Sequence, residues 1–278
     1  MKRSFLGGQA VLDGVFLLFG HRYALAVGTS QGIVLRSGSS RILQSSLVSV
    51  PFVRGILILF ALLHLGLKST FIASKLADDE VELPSWLFLG TVFFSLVGAI
   101  LLFFLLPLYV AHSFVSVDHV VLFNVVDGLV RIILLVCYVL LISFIPEMYR
   151  LFMLHGAEHK VINAFERTGT LSLAAARSQS MFHPRCGTSF IVLVLLVAIA
   201  VYSVTPLDLP FWLLLLTRIA YLIPIASLTY ELILFASAHP KYFSWLLKPG
   251  FLIQRLTVRP PKDAQLRIAL AAARALLR

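Results

Sequence analysis

"VPFVRGILILFALLHLGLKSTFIASKLA" occupies residues 50–77 and decides how the rest of the chain is threaded. It is long and apolar enough to cross a bilayer, which takes roughly 20 residues. Yet Arg54, Lys68 and Lys75 recur at multiples of seven, and His64 lies one turn before Lys68. On a helical wheel these groups share one side, while Ile58, Leu62, Leu65 and Phe71 lie elsewhere on the circumference. A helix with a basic stripe suits the membrane surface better than its centre. Spanning would also carry Lys2, Arg3, Arg22, Arg36 and Arg41 to the far side. The sequence therefore predicts an interfacial or shallow re-entrant helix over 50–76. The acidic run at 78–82 ("DDEVE") is expected to be a solvated turn after it.

Around this segment the chain is that of an integral membrane protein. Of its 278 residues 59% are hydrophobic, above the roughly 45–50% of soluble domains. Four further stretches approach or exceed membrane length, at 84–111, 120–145, 189–205 and 209–237. The net charge of +10 is concentrated before residue 55, between 145 and 188, and after 240. The connections 112–119 and 204–210 contain no Lys or Arg. The positive-inside rule places those connections outside and the basic regions, with both termini, in the cytoplasm. Anionic headgroups account for such juxtamembrane cations, so nucleic acid is not expected as a partner.

The expected fold is an all-α integral membrane protein of about four transmembrane helices and an interfacial helix, with a small N-terminal β element. Residues 1–49 are read as the cytoplasmic β region, because "YALAVG" and "GIVLR" flank a turn at "TSQ". The helix and acidic turn follow at 50–83. Paired spans at 84–145 and 189–237 enclose a cytoplasmic loop at 146–188, and a tail with an amphipathic helix covers 238–278. The first twenty residues resemble a leader, but Gly7, Gly8, Gln9 and Asp13 interrupt the apolar run, so it is read as retained. In the tail, "KPG" (248–250) predicts a turn.

The chemistry is expected in the 146–188 loop. Pro146 suits the first turn of a helix and Gly169 its end, giving a helix over about 147–167. On it His155 and His159 stand four apart, so both imidazoles can reach one ion. With Glu158 they read H-x-x-E-H, an order in which the glutamate is the general base to a metal-activated water. Glu166 returns to the same face about 10 Å further along the axis, a supporting rather than a ligating position. His183 and Cys186 add an H-x-x-C pair in the turn that follows. Two constructions are open. His155, His159, His183 and Cys186 form a closed structural site, or three of them hold the ion and water takes the fourth place. A divalent metal of the zinc class is the expected cofactor. Inside the spans, Asp127 and Arg131 are one turn apart, Arg218 is without an assigned partner, and Glu231 is placed to face the metal loop.

The blocks "GGQAVLDGV" (7–15), "VPFVRG" (50–55), "NVVDGLVR" (124–131), "HGAEHK" (155–160), "HPRCGTSF" (183–190) and "PGFLIQRLTVRPP" (249–261) resemble the YqhQ-like family of bacterial membrane proteins, defined by a domain of unknown function. Its members are commonly labelled metal-dependent enzymes. The resemblance implies a working set of Gln9, His155, Glu158, His159, His183, Arg185 and Cys186 in a protein of the bacterial cytoplasmic membrane. Asp13 stands where the family usually has glutamate.

Two functions follow as expectations. One is a metal-dependent hydrolase at the bilayer edge, with Glu158 as base and Arg185 stabilising an anionic intermediate, acting on lipid or membrane peptide. The other is a non-enzymatic scaffold whose His/Cys site pins a docking surface for a membrane-protein partner, such as the protein-insertion machinery.

Overall fold

The computed structural model describes residues 6–77, 84–205 and 207–277; the acidic run 78–82 lies outside them. The β element is larger than a hairpin. Strands β1 (Leu6–Val11), β2 (Gly14–Phe19), β3 (Arg22–Thr29) and β4 (Gly32–Ser39) form an antiparallel meander in sequence order. The leader-like run supplies β1 and β2. Asp13 sits in the turn between them with φ +48°, a left-handed conformation that Asp tolerates better than most residues. Its carbonyl accepts the Gly28 N–H at 2.8 Å. Asp13 thus shapes a turn and takes no part in the histidine cluster.

The helices are α1 (Val53–Ala77), α2 (Ser85–Ile100), α3 (Leu106–Phe114), α4 (Val120–Ile142), α5 (Pro146–Thr168) and α6 (Leu173–Arg177). After these come α7 (Gly187–Tyr202), α8 (Phe211–Ala220), α9 (Leu222–Ala238), α10 (Pro240–Thr257) and α11 (Asp263–Leu277). A π-helical turn, Leu101–Leu105, joins α2 to α3.

Alternation along β2 and β3 sends neighbouring side chains to opposite faces, and helices cover both. Val15, Leu17, Ala24 and Ala26 pack with Leu154 and Val161 of α5 and Leu266 and Leu270 of α11. Phe16, Leu18, Leu25 and Val27 pack with Leu65 and Ala73 of α1. Double coverage explains why these strands are continuous apolar runs without polar alternation. Edge strand β4 is mostly exposed, and its Arg36, Gly38 and Ser39 make it a poor template for further pairing.

Among the described residues, four helical stretches are long and apolar enough to cross a membrane: Val53–Leu76, Ser85–Phe114, Val120–Ile142 and Phe211–Ala238. Three coincide with expected spans. The expected span 189–205 is the shorter α7, whose 16 residues rise about 24 Å against a hydrocarbon core of about 30 Å. The fourth, Val53–Leu76, is the segment read from its charges as interfacial; its length and composition suffice for a span. Ser85–Ile100 contains no buried residue, and Trp86, Phe93 and Phe94 stand open. An apolar surface this continuous is of the kind that marks a membrane or protein contact.

Helix α1 is two-faced. Ala61, Leu65, Ser69 and Ala73, four apart, are buried, whereas Phe60, Leu63, His64, Lys68 and Lys75 are exposed. Its entry is tied to α9. Glu231 Oε1 accepts the Phe52 N–H at 3.0 Å and the Arg54 Nε–H at 2.8 Å, and a second Arg54–Glu231 contact completes the pair. The Ser227 hydroxyl donates to the Phe52 carbonyl at 2.6 Å, holding Phe52 at φ +66°. Glu231 therefore anchors α1 and does not face the metal loop as expected, because its carboxylate is consumed by this entry turn.

Arg218 finds its partner in Asp127. The carboxylate accepts Arg218 Nη1 at 2.9 Å and Arg131 Nη2 at 2.9 Å, so two guanidiniums share one aspartate. Arg218 Nη2 also donates to Asn124 Oδ1 at 2.6 Å, and the Tyr202 hydroxyl donates to the Arg218 carbonyl at 2.8 Å. Asn124, Asp127, Arg131, Tyr202 and Arg218 are all buried. The i,i+4 pair expected within α4 is thus one edge of a network joining α4, α7 and α8.

The turn expected at "KPG" is absent. α10 continues through Pro249, and a Cβ on Gly250 would lie 2.4 Å from Ser189 Oγ. Close packing of Gly250 on α7 outweighs the local breaker signal. Beyond α10 the chain leaves the helix at an extended Val258, has no regular structure to Lys262, and then forms α11.

Candidate metal centre

Helix α5 runs from Pro146 in its first turn to Gly169, whose φ of +69° gives the left-handed terminus. One of its faces meets the sheet and the other carries the polar residues. His155 and His159 project side by side, with ring centroids 4.4 Å apart. Each ring is oriented from behind by a backbone carbonyl. His155 Nδ1 donates to the Thr257 carbonyl at 2.9 Å and His159 Nδ1 to the Met181 carbonyl at 2.5 Å. With Nδ1 so engaged, Nε2 is the ring nitrogen that each histidine has left to offer a ligand. Such carbonyl contacts are the usual support of metal-binding histidines.

Cys186 completes the group from the N-terminus of α7, where Sγ accepts the Thr188 N–H at 3.4 Å. His155 Nε2 lies 3.2 Å from Sγ. One ligand atom from each of His155, His159 and Cys186 falls within 4.8 Å of the other two. Burial alone pushes the Cys186 thiol up, but the His159 hydrogen bond and charge and the Thr188 N–H bring it below its ordinary value. Burial also lowers His159, against the pull of its Cys186 hydrogen bond. Two imidazoles and a thiol are a donor set suited to zinc-class ions.

The fourth expected ligand, His183, is adjacent but engaged elsewhere. Its ring lies 5.7 Å from that of His159, and Nε2 faces Glu166 Oε2 at 3.4 Å. Burial lowers His183, so the neutral ring donates to Glu166. Its backbone N–H donates to Gln254 Oε1 at 3.1 Å, and its carbonyl accepts Gln254 Nε2 at 2.9 Å. The closed four-ligand set is therefore not assembled; three residues converge. Glu166 also pairs with Arg185, so Arg185 braces the loop where an anion-stabilising role was expected.

Glu158 is buried, and its Oε2 has no hydrogen-bond partner among the described residues. Desolvation raises its carboxyl to about 8, with His155 opposing. The other oxygen abuts β1, where a Cβ on Gly8 would lie 3.1 Å from Oε1. Gln9 projects to the opposite face of the strand, against α1, where a Cβ on Gly66 would come within 2.4 Å of its Nε2. The "GGQ" motif thus lets one strand touch α5 and α1 together.

Several residues not singled out from the sequence hold the site. Lys160 Nζ donates to the Arg177 and Gln179 carbonyls, and Asn163 Nδ2 donates to those of Ser180 and Phe182. With His159 on Met181, α5 gathers five carbonyls of the 177–182 segment. Asn163 continues the i,i+4 line of His155 and His159, a signal legible in the sequence. Gln254 and Thr257, far along the chain, had only their place in the block 249–261 and no local pattern tying them to the histidines.

Gly156 permits a further close approach. The Arg259 N–H donates to the Phe152 carbonyl at 2.9 Å, and a Cβ on Gly156 would lie 2.3 Å from the Arg259 carbonyl oxygen. Gly156→Ala must displace the segment directly after α10, and with it Thr257, whose carbonyl contacts His155. A loss of about 1–3 kcal/mol is expected, read as a lowered thermal midpoint in detergent.

Glu166 makes stability pH-dependent. Burial would raise its carboxyl, but the His183 hydrogen bond and the Arg185 charge hold it below its ordinary value. A depressed carboxylate stabilises the fold above its unfolded pKa of about 4.3, and the contribution is lost as pH falls through the lower folded value. Wild type and Glu166→Gln should therefore differ in unfolding midpoint at neutral pH and converge in acid. Parallel curves down to acid would refute this.

Residues 50–278 match a family described as "Protein of unknown function (DUF1385)". Over 295 aligned residues the chain is 28% identical to the uncharacterized protein YqhQ of Bacillus subtilis (strain 168), covering 98% of this chain and 92% of that protein. No solved structure matches. A match over most of the chain, together with a near-full-length relative, shows that this chain belongs to the DUF1385 family of proteins of unknown function.

Proposed function

We propose that this is a multipass protein of the bacterial cytoplasmic membrane that holds one zinc-class ion at His155, His159 and Cys186 and hydrolyses a lipid or membrane peptide. The observation that carries the reading is the paired orientation of the two imidazoles. Carbonyls on the far side of each ring direct both Nε2 atoms toward Cys186. A scaffold needs no glutamate beside that group, yet Glu158 is buried there with one oxygen unpartnered. When bound, a divalent ion supplies Lewis acidity and makes water nucleophilic near neutral pH. Glu158 holds a proton below about pH 8 in the metal-free protein; a neighbouring cation favours the carboxylate, the form that accepts a proton at Oε2. Arg185, Glu166, His183 and Gln254 keep the 177–186 loop against α5. Loop 146–188 and both termini are cytoplasmic in this reading, and α5 packs with the N-terminal sheet and α11, which puts the centre at the cytoplasmic edge of the bilayer.

Elemental analysis of detergent-purified wild type and Glu158→Gln tests it. Both should carry about one transition-metal ion per chain. Hydrolysis of fluorogenic lipid and peptide substrates should fall by at least ~100-fold in Glu158→Gln. Metal-free wild type from a chelator-free preparation would end the metal reading. Full metal with equal turnover in both proteins would end the role of Glu158.

A further inference from the structure

Helix α10 follows α9 with only His239 between them and has two unlike faces. At about 100° per residue, Leu247, Gly250, Gln254 and Thr257 lie on one side. All four are buried, with Leu247 against Leu193 of α7 and α9 residues Ile233 and Ala236. The opposite side carries Lys241, Trp245, Lys248, Leu252 and Arg255, all exposed. None of the three cations forms an ion pair among the described residues, and α10 contains no acidic residue.

We infer that this outer stripe is a docking surface for anionic phospholipid, seated at headgroup level. Charge complementarity chooses the occupant. Cations seven residues apart meet phosphates, while the Trp245 indole and Leu252 between them reach the acyl boundary. Continuity supports it, because α9 ends the apolar stretch Phe211–Ala238 directly before α10 begins. A soluble partner would not require tryptophan, leucine and basic residues interleaved on one narrow stripe beside a membrane-length helix. The other face of the same helix holds His183 through Gln254 and His155 through the Thr257 carbonyl. Lipid docking therefore places the backing of the candidate centre at the bilayer surface. The inference concerns the face away from the histidines and stands whether or not they bind an ion.

The test uses the full chain with Trp86→Phe and Trp212→Phe, leaving Trp245 as the sole tryptophan. The protein is placed in nanodiscs of phosphatidylcholine alone or with phosphatidylglycerol, each with and without brominated acyl chains. Trp245 emission should be quenched by bromine at least roughly two-fold more strongly with phosphatidylglycerol present, and Lys241→Glu/Lys248→Glu/Arg255→Glu should erase that difference. Unquenched, water-exposed emission in both lipids overturns the docking surface. Equal quenching in the two lipids overturns its anionic preference, and this wild-type comparison needs no charge-reversal variant to fold.

Discussion

His155→Ala should lose its metal while His183→Ala keeps it. The two histidines are equivalent in the sequence reading, where each is one ligand of four. In three dimensions they are not. His155 directs Nε2 at Cys186 from 3.2 Å, whereas His183 is turned to Glu166 and clamped by Gln254. Loss of a residue that merely supports a ligand typically costs 10–100-fold in metal affinity, so loss of a ligand should cost at least about 100-fold. Titration with zinc against a competing chelator reads this in detergent. His183→Ala should instead lower stability by about 1–3 kcal/mol, because a buried ring and its part-buried contact with Glu166 are removed, with affinity changed less. Cys186→Ser should fall with His155→Ala. Equal metal loss in His155→Ala and His183→Ala would restore the four-ligand construction.

The largest loss of stability is expected at Asp127→Ala. Its carboxylate is the shared counter-charge of Arg131 and Arg218, all three being at most 3% exposed. Arg131 Nε and Arg218 Nε already lack partners among the described residues, so the network has no spare acceptor. Removing one member of a buried ion cluster costs about 3–5 kcal/mol, mostly from the charge left behind. Detergent-solubilised Asp127→Ala should therefore unfold at markedly lower temperature or denaturant. Asp127→Ala/Arg218→Met should recover part of the loss, since it also removes one stranded cation, and the non-additivity measures the coupling. Independent additive losses would mean the two residues do not share the charge as described.

Much of this architecture is legible without coordinates where the signal is local. The sequence by itself determined three of the four membrane-length helices, the β3–β4 hairpin and the boundaries of α5, because hydropathy, turn residues and helix ends depend on near neighbours. It also determined that His155, Glu158 and His159 share one helix, since 3.6-residue periodicity sets which side chains are adjacent. Only the tertiary structure decided which residues complete the site. Cys186 joins it while His183 is diverted, because Gln254 lies 71 residues beyond His183 and no local pattern encodes that contact. The same reason governs Glu231, claimed by Phe52 and Arg54 across the fold, and the uninterrupted α10, where packing of Gly250 on Ser189 outweighs a proline. Helix α1 is the mixed case. Its basic stripe was readable, and His64, Lys68 and Lys75 of it are exposed, but the face it buries is chosen by a sheet that exists only once β1 to β4 have paired.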